Sequence, residues 1–420
     1  MAATLKLNGH DMDIWIVNPY GTLPSEGWRE YRSSMLARAL AARGHHPTWF
    51  LSNFEHRSKS FRKEVQADPT LPGVTIYCLP ARPYARNISI GRVRYERSFG
   101  QAFGAASQVL PKPDAIILAE PSIFFGGPVR RYALNNNIPL IVDILDLWPE
   151  MFAVAAPKPV RPLATLLLAP LYARRRKLLR EAAGVVGCTA GYTNVARAVT
   201  HRPTETFYLG VDVTEVRRSM LDIPNSWRLP PYSGLTCVYA GTLGEAYDIP
   251  CLAASVEALA PLGRVRLVVA GDGPESPRLK QLSQTYPETL IFLGKISPQE
   301  LGAIYAQAQI GLCSYAPGSA VEMPVKLFDY LAAGLGFVTS LNGEIHTLID
   351  AGAGLYCRPG DPAALVEILS GLADVPQRVA EMQVVATDHG KRFDQHYQHA
   401  AFTAFIEKLV KPQSISRDAE

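Results

Sequence analysis

The chain has 420 residues, of which 48% are hydrophobic and 19% are charged, and its formal net charge is +4. This composition is typical of a globular protein and excludes a disordered one, and the length predicts two domains, each with its own core. The small positive charge does not indicate a nucleic-acid partner, and we expect none.

The cysteines and the apolar runs bear on where the protein works. The six cysteines form no Cys-x-x-Cys pair, which predicts free thiols in a reducing cytosol and no structural zinc site. Residues 1–10 lack the long apolar core of a signal peptide. The longest apolar run, residues 163–172, is far shorter than the roughly 20 residues that span a bilayer. We therefore expect a soluble or peripheral protein of the cytoplasm.

Short apolar runs alternate with helical stretches through the first half of the chain. The runs predict strands at residues 13–17, 48–51, 74–78, 114–119, 139–143 and 184–188. A helix is expected over residues 29–43, between the first two strands. Continuous apolar runs suit a parallel sheet covered on both faces, and the alternation predicts a doubly wound α/β domain.

The pattern breaks over residues 201–233, where we place the interdomain linker, and then restarts. Further strands are predicted at residues 235–240, 265–270, 290–293, 310–314, 337–339 and 355–356, with a last helix over 393–409 and a polar tail over 411–420. The predicted fold is therefore α/β, with two doubly wound Rossmann-like domains that face each other across a cleft. Their expected limits are residues 1–205 and 206–392, and residues 393–420 form a segment that can pack back on the first domain.

One helical stretch, residues 322–334, brings charged groups together. Pro324 suits the first helical position, and Gly334 suits the residue just past the helix end. Lys326 and Asp329 are three residues apart and share a face near the helix N-terminus. The loop N–H groups and Lys326 suit a diphosphate, and the Asp329 carboxylate suits a pair of sugar hydroxyls. An ordinary amphipathic helix with a surface ion pair is the alternative.

Other candidate residues follow predicted strands. The turn that contains Gly241, Thr242 and Gly244 can bring the backbone close to a phosphate, or can serve chain geometry alone. Glu322 lies in the loop before the helix, either near a transferred group or as an exposed carboxylate. Asp146 belongs to a cluster of carboxylates after the fifth strand, which suits either acid–base chemistry or helix capping.

Basic residues are clustered at two places in the first half. Arg94 belongs to the first cluster, and the second cluster, Arg174, Arg175 and Arg176, follows the apolar run 163–172. An apolar run beside basic residues suits the surface of an anionic membrane, and it also suits an anionic acceptor such as a lipid diphosphate. A solvated basic face on a core helix is the alternative.

Several segments share their pattern with one known family. They read VYAGTLGEAYDIP (238–250), RLVVAGDGPE (266–275), IFLGKISPQEL (291–301), MPVKLFDYLAAG (323–334) and SLNGE (340–344). Through these segments the chain resembles the retaining family-4 glycosyltransferases of the GT-B fold. The segment VDILDLWPE (142–150) is similar to a motif of a branch that builds bacterial surface polysaccharides and adds amino sugars to lipid-linked acceptors.

The resemblance implies roles for residues around the helix at 323–334. Asp329 takes the place of the second glutamate of the family's Glu-x7-Glu motif, which binds the ribose. The first glutamate of that motif aligns with Val321, so Glu322 lies one residue after its position. Lys326 matches a lysine of this branch that we assign to the diphosphate, and Pro324 and Val325 belong to the same donor motif.

Three more residues take roles from the family, and one feature departs from it. Lys295 and Ile296 align with residues whose backbone contacts the nucleotide base in relatives. Asp146 lies near the position at which many relatives have a histidine under the donor sugar. Many relatives carry an Arg and a Lys after the first strand of the second domain, and residues 244–248 contain neither. This absence leaves Lys326 and backbone N–H groups to neutralise the diphosphate.

The resemblance implies transfer of a sugar, with retention, from a nucleoside diphosphate to a lipid-linked or saccharide acceptor. UDP is the expected nucleotide, Asp146, Lys326 and Glu322 are the candidate catalytic residues, and neither a cofactor nor a metal is expected. The expected location is the inner face of the cytoplasmic membrane. A nucleotide-sugar epimerase of the GT-B fold and a non-catalytic scaffold with a relic nucleotide site are the alternatives.

Overall fold

The computed structural model describes most of the chain. The described residues are 11–27, 30–63, 66–150, 152, 161–221 and 223–410. Residues 1–10, the expected helix start at Arg29 and the predicted tail at 411–420 therefore lie outside the described residues.

The strands form two parallel sheets and one small hairpin. The first sheet contains β1 (Asp13–Val17), β2 (His46–Ser52), β5 (Thr75–Leu79), β6 (Ala115–Glu120), β7 (Leu140–Ile144), β8 (Gly184–Gly187) and β9 (Thr204–Thr206). The second contains β10 (Leu235–Ala240), β11 (Val265–Ala270), β12 (Leu290–Gly294), β13 (Ile310–Cys313), β14 (Gly336–Thr339) and β15 (Gly354–Tyr356). The antiparallel hairpin pairs β3 (Phe54–Glu55) with β4 (Ser60–Phe61).

Helices connect these strands. In the first half they are α1 (Arg32–Ala42), α2 (Ile90–Ala106), α3 (Gly126–Asn135), α4 (Arg161–Leu167), α5 (Ala169–Glu181) and α6 (Ala190–Arg197). Later helices are α7 (Val213–Ser219), α8 (Ile249–Leu259), α9 (Ser276–Thr285), α10 (Pro298–Tyr305), α11 (Val325–Ala332), α12 (His346–Asp350), α13 (Pro362–Asp374), α14 (Pro376–Gly390) and α15 (Gln395–Val410). Short 3-10 turns lie at Pro24–Glu26, Asn225–Trp227, Ala260–Leu262 and Lys391–Phe393.

The chain divides into two compact units, each with its own core. The N-terminal unit contains the described residues up to Tyr208 and those from His399 onward, and the C-terminal unit is Leu209–Gln398. The first sheet has the order β5-β2-β1-β6-β7-β8-β9 and the second the order β12-β11-β10-β13-β14-β15. In each sheet the first strand in the chain, β1 or β10, lies in the interior. The strands that follow it are added first on one side of it and then on the other. This strand order confirms two doubly wound α/β domains.

Each face of the N-terminal sheet is covered by helices. On one face Phe103 of α2 and Val129 of α3 pack in the core with Trp15 of β1. On the other face Leu40 of α1 and Phe402 of α15 pack in the core with Ile16. Because the strands are covered on both sides, they are apolar along their whole length, as the sequence indicated.

In the C-terminal unit, one tyrosine of α11 links this helix to two neighbouring strands of the sheet. The hydroxyl of Tyr330 accepts a hydrogen bond from the N–H of Ala240 at 3.1 Å and donates one to the carbonyl of Leu312 at 3.3 Å. A Cβ on Gly311 would overlap the Tyr330 ring, so β13 requires glycine there. These contacts hold α11 against the carboxyl ends of β10 and β13.

Every predicted strand is present, and its ends lie within two residues of those expected. Two differences concern other elements. The interval 201–233, predicted as a linker, contains β9 and α7. Pro324 is the residue before α11, with extended backbone, and Val325 is the first helical residue, while Gly334 follows the helix end with φ +73° as predicted.

Candidate active site

The side chain of Lys326 is buried in the C-terminal unit. The residue lies in the first turn of α11 and is 9% exposed. Among the described residues no group accepts a hydrogen bond from its Nζ. An ammonium carries three N–H donors, and burying them unsatisfied costs free energy. An unpartnered buried cation therefore calls for an acceptor from outside the chain.

Three tyrosine rings surround this ammonium. The Nζ of Lys326 lies 3.8 Å from the ring centre of Tyr239, 4.6 Å from that of Tyr247 and 5.4 Å from that of Tyr315. The negative faces of aromatic rings attract a cation, although they offer far weaker acceptors than oxygen. The tyrosines therefore hold the charge in place while leaving its N–H groups available to a ligand.

Gly241 leaves space beside the same ammonium. Its φ is +147°, which favours glycine, and a Cβ added there would lie 2.9 Å from the Nζ of Lys326. The loop after β10 thus approaches Lys326 by its bare backbone. A backbone without a side chain, next to a buried cation, is an arrangement that accommodates a phosphate.

The turn at Gly271 supports the loop that contains Gly241. The N–H of Gly241 donates to the carbonyl of Ala270 at 2.9 Å, and the N–H of Leu243 donates to the carbonyl of Asp272 at 3.0 Å. A Cβ on Gly271 would overlap the carbonyl oxygen of Gly241. The glycines of this second turn are explained by close packing between the two loops.

Burial affects the charge of Lys326. Desolvation lowers the pKa of its ammonium to about 8, and the neighbouring Cys313 and Asp329 raise that pKa in part. At neutral pH the ammonium therefore stays protonated. A cation held in this desolvated place attracts an anion more strongly than a solvated lysine would.

The other predicted donor-site residues lie at the same edge of the sheet and differ in their exposure to solvent. Asp329 is buried one turn after Lys326, and Thr242 is exposed in the glycine loop that also contains the partly buried Gly244. The Cγ of Glu322 would lie 3.7 Å from a Cβ on Gly343, which places this carboxylate against the loop after β14.

Lys295 and Ile296 follow β12, the edge strand of the second sheet, and Lys295 is exposed. Gly241 follows β10, two strands away in the sheet order. The structure thus brings Lys326 and Gly241 into direct proximity, and places Lys295 and Ile296 farther along the same carboxyl edge.

The tyrosines around Lys326 were not predicted from the sequence. Tyr239 is the last residue but one of β10, Tyr247 follows in the next loop, and Tyr315 comes two residues after β13. Their common position at the carboxyl ends of two neighbouring strands was the available signal. Ser340 fixes Tyr315, because its hydroxyl accepts from the N–H of Tyr315 at 2.7 Å and donates to its carbonyl at 2.9 Å.

In the N-terminal unit, the carboxylate cluster after β7 separates into residues with different surroundings. Asp143 accepts two hydrogen bonds from the guanidinium of Arg32, at 3.0 and 3.1 Å, and both side chains are buried. Asp146 is partly exposed, and burial raises the pKa of its carboxyl. Asp143 is therefore a structural residue, and Asp146 is the candidate that remains for chemistry.

Arg92 lies near Asp146 and was not singled out as a site residue. Its guanidinium lies 3.9 Å from the ring centre of Trp148 and 4.8 Å from that of Tyr20, and its charge lowers the pKa of Asp146 in part. The hydroxyl of Tyr20 donates to the buried carboxylate of Glu96 at 2.6 Å. Stacking on both rings gives Arg92 a fixed position beside the Asp146 carboxyl.

The predicted basic surface is only partly a surface. Arg94, Arg174 and Arg176 are exposed, whereas Arg175 is 7% exposed, forms an ion pair with Glu150 and donates to the carbonyl of Trp148 at 2.8 Å. Arg175 therefore does not face solvent with its neighbours. The apolar run before it is divided between α4 and α5 at Leu168.

Comparison with protein families assigns both units. The model of the glycosyl transferase 4-like domain matches residues 26–210, and that of glycosyl transferases group 1 matches residues 234–374. Together the two models match most of the chain. The chain belongs to the glycosyltransferases of the GT-B fold.

Individual relatives agree with this family. An alpha-monoglucosyldiacylglycerol synthase of Streptococcus pneumoniae is 26% identical over 175 residues, which are 40% of this chain and 39% of that protein. A GDP-mannose-dependent alpha-(1-6)-phosphatidylinositol dimannoside mannosyltransferase of Mycobacterium tuberculosis is 27% identical over 198 residues, 46% of this chain and 50% of that protein. The matched regions thus span half or less of the length of these curated relatives.

The fold is also that of solved glycosyltransferase structures. Sucrose-phosphate synthase from Thermosynechococcus elongatus superimposes with a TM-score of 0.69, covering 94% of this chain and 98% of that one at 17% sequence identity.

Within the described ranges, no group of three or more His, Cys, Asp or Glu side chains is placed to hold a metal ion. No helix that the structure describes combines the length and the apolar character needed to cross a bilayer.

Proposed function

We propose that this chain is a glycosyltransferase that moves a sugar from a nucleoside diphosphate to a lipid-linked or saccharide acceptor. UDP is the nucleotide we expect, and we expect the sugar to keep its anomeric configuration. The observation that carries the proposal is the buried ammonium of Lys326, which lacks a hydrogen-bond partner among the described residues and lies against the bare backbone of Gly241.

The chemistry follows from where charge develops. When the bond between the anomeric carbon and the diphosphate oxygen breaks, its electron pair stays on the leaving diphosphate. A diphosphate between Lys326 and the Gly241 loop meets a fixed cation and the positive end of α11 there, and the cation stabilises the growing negative charge. The acceptor hydroxyl forms the new bond to the anomeric carbon, and its proton passes to the oxygen of the leaving diphosphate. No metal is required in this proposal.

Asp329 is proposed to bind the ribose hydroxyls of the nucleotide. Asp329→Ala is expected to weaken UDP binding at least about tenfold, because hydrogen bonds to a charged group contribute about 1.5–3 kcal/mol each. Isothermal titration calorimetry measures this affinity. Asp350→Ala, which removes an exposed carboxylate from the end of α12 in the same unit, is the matched control and should bind UDP normally. Wild-type affinity in Asp329→Ala would refute the ribose role.

The acceptor side is proposed to meet an anionic membrane surface. Both curated relatives are named for glycolipids. In this chain the short helix α4 exposes Leu163, Leu166 and Leu167 at 58%, 70% and 72%, directly before the basic helix α5. Exposed apolar side chains next to arginines suit the interface of an anionic bilayer. This arrangement favours a peripheral location on the inner face of the cytoplasmic membrane.

Replacing Leu166 and Leu167 by Ser is expected to lower binding to phosphatidylglycerol vesicles at least about tenfold, since burying each leucine contributes about 1.5–3 kcal/mol. Vesicle sedimentation measures the bound fraction. Leu221→Ser changes a leucine that is 85% exposed in the other unit, and it should leave sedimentation unchanged. Equal binding by the double variant and the wild type would reject α4 as the contact.

A screen of nucleotide sugars tests the proposed activity as a whole. Thermal shift with UDP- and GDP-linked sugars identifies a donor, and release of the nucleotide from that donor then measures turnover. A donor that binds and is consumed excludes a non-catalytic scaffold. A product released with the sugar inverted at its 2-position would instead favour an epimerase.

A further inference from the structure

A cavity lies within the N-terminal unit, and Asp146 is not among the residues that line it. It measures about 470 Å³ and is bounded by the middle of α2, the loop after β6, the first turn of α3 and α5. Binding sites for small molecules in proteins generally measure about 300–1,000 Å³. The cavity can therefore hold a ligand of the size of a sugar phosphate.

The cavity wall carries far more positive than negative charge. Its basic residues are Arg97, Arg130, Arg131, Arg174, Arg175 and Lys177. Two of them have acidic partners, since Arg130 pairs with Glu181 and Arg175 with Glu150. For the remaining four, no carboxylate of a described residue lies within ion-pair distance. Such an excess of unpaired cations in one concave site attracts an anion.

Two of these four basic side chains lie near the same aromatic ring. The guanidinium of Arg97, on α2, lies 5.6 Å from the ring centre of Phe124, and that of Arg174, on α5, lies 5.9 Å from it. Phe124 itself lines the cavity. Arginines that approach one ring from two helices can both turn their N–H groups toward a phosphate in the cavity.

The start of α3 faces the same cavity. Gly126 and Gly127 line it, and no side chain caps the first turn of this helix. Arg131 reaches back to this turn, because its Nη1 would lie 3.8 Å from a Cβ on Gly127. The positive end of the helix thus adds to the charge of the arginines.

One carboxyl group, Glu120, also lines the cavity. It is buried and accepts hydrogen bonds from the N–H and the hydroxyl of Ser122, the former at 2.9 Å. Burial raises the pKa of this carboxyl to about 7, so its negative charge is partly lost at neutral pH. Glu120 therefore does not cancel the positive charge of the wall.

We propose that this cavity binds the phosphate of a phosphorylated ligand, between Arg97, Arg131 and Arg174. The cavity is much larger than a phosphate, so the rest of the site accommodates the group that carries it. Two sources have this chemistry: the phosphate of a lipid headgroup, as in the acceptor of the proposed function on which this choice rests, and a soluble phosphate ester.

Two double variants with equal loss of charge test the site. Arg97→Ser with Arg174→Ser removes lining arginines from α2 and α5, and Arg82→Ser with Arg202→Ser removes two exposed arginines of the same unit that do not line the cavity. Calorimetry with glycerol 3-phosphate should show at least about tenfold weaker binding for the lining pair, since hydrogen bonds to charged groups contribute about 1.5–3 kcal/mol. The control pair should stay within about twofold of the wild type.

Vesicles distinguish the two sources. Phosphatidylcholine vesicles with phosphatidic acid are compared with vesicles that lack it. A loss of binding to phosphatidic acid that is larger in the lining pair than in the control pair identifies a lipid headgroup. Loss with glycerol 3-phosphate alone identifies a soluble ester, and either result supports a phosphate site. If the lining pair behaves like the control pair with both probes, or if neither probe binds the wild type, the proposal is overturned.

UDP affinity, measured in the same variants, separates this proposal from that for the donor site. The lining pair lies in the other unit from Lys326, so UDP binding should persist in it. The arginine-dependent binding of glycerol 3-phosphate should likewise persist in Lys326→Met. A chain that binds the phosphate ester but no nucleotide sugar would refute the donor proposal and leave the cavity proposal standing.

Discussion

Lys326→Met is expected to lower glycosyl transfer about a hundredfold, with the fold intact. Removing a single preorganised donor that stabilises developing charge commonly costs two to three orders of magnitude in turnover. Methionine keeps much of the length and apolar volume of the lysine chain, so the three tyrosine rings around it can remain packed. Initial rates with saturating donor and acceptor measure this effect.

The stability of the same variant shows whether the loss is functional. In the wild type, burial opposes the charged form of Lys326 and no described group accepts a hydrogen bond from it. Lys326→Met removes this unfavourable burial, so its free energy of unfolding should equal or exceed that of the wild type. Lys280→Met, at an exposed position of α9, serves as the activity control. Turnover within about threefold of the wild type would contradict the assignment of Lys326.

Arg32→Met is expected to lower the free energy of unfolding of the N-terminal unit by about 3–5 kcal/mol. The variant leaves Asp143 buried without the two hydrogen bonds it receives from the guanidinium, and an unpaired buried charge is strongly destabilising. The carbonyl of Tyr208 also loses a donor, at 3.2 Å in the wild type. Urea denaturation followed by circular dichroism measures the change.

Removing both partners provides the internal control. In Arg32→Met with Asp143→Leu, no buried charge is left unpaired, and the double variant should regain much of the lost stability. Asp146→Asn, which changes the partly exposed carboxylate three residues later, should leave the unfolding midpoint unchanged. A loss below about 1 kcal/mol in Arg32→Met would show that the pair is not a main stabiliser.

The strands were predictable because each signal is local. Runs such as Ile14 to Val17 and Val265 to Ala270 are buried on both faces, so apolar character alone marks them. The strand β9 and the helix α7 were missed because both are short and polar. Thr204 and Thr206 are extended because they pair with β8, and this pairing leaves no pattern in the neighbouring residues of the sequence.

The candidate site was predictable where one segment carries it. The helix signals around Pro324 and Gly334, with Lys326 and Asp329 between them, lie within about three turns of chain. The partners of these residues come from distant segments. The tyrosines around Lys326 lie on other strands and loops, and the partner of Asp143 is 111 residues away. Only the packing of these distant segments reveals that Asp143 is structural and that no described residue accepts a hydrogen bond from Lys326.

Helix α15, the last helix that the structure describes, completes the core of the first unit. Phe402 and Ile406 are fully buried there, and Glu407 pairs with Arg43. On the ribosome, the N-terminal sheet must therefore wait for this helix while residues 209–398 are made. At roughly 5–20 residues per second, this delay lasts on the order of 10–40 seconds. During that time one apolar face of the nascent sheet is incompletely covered, which makes it a natural substrate for chaperones that bind emerging chains.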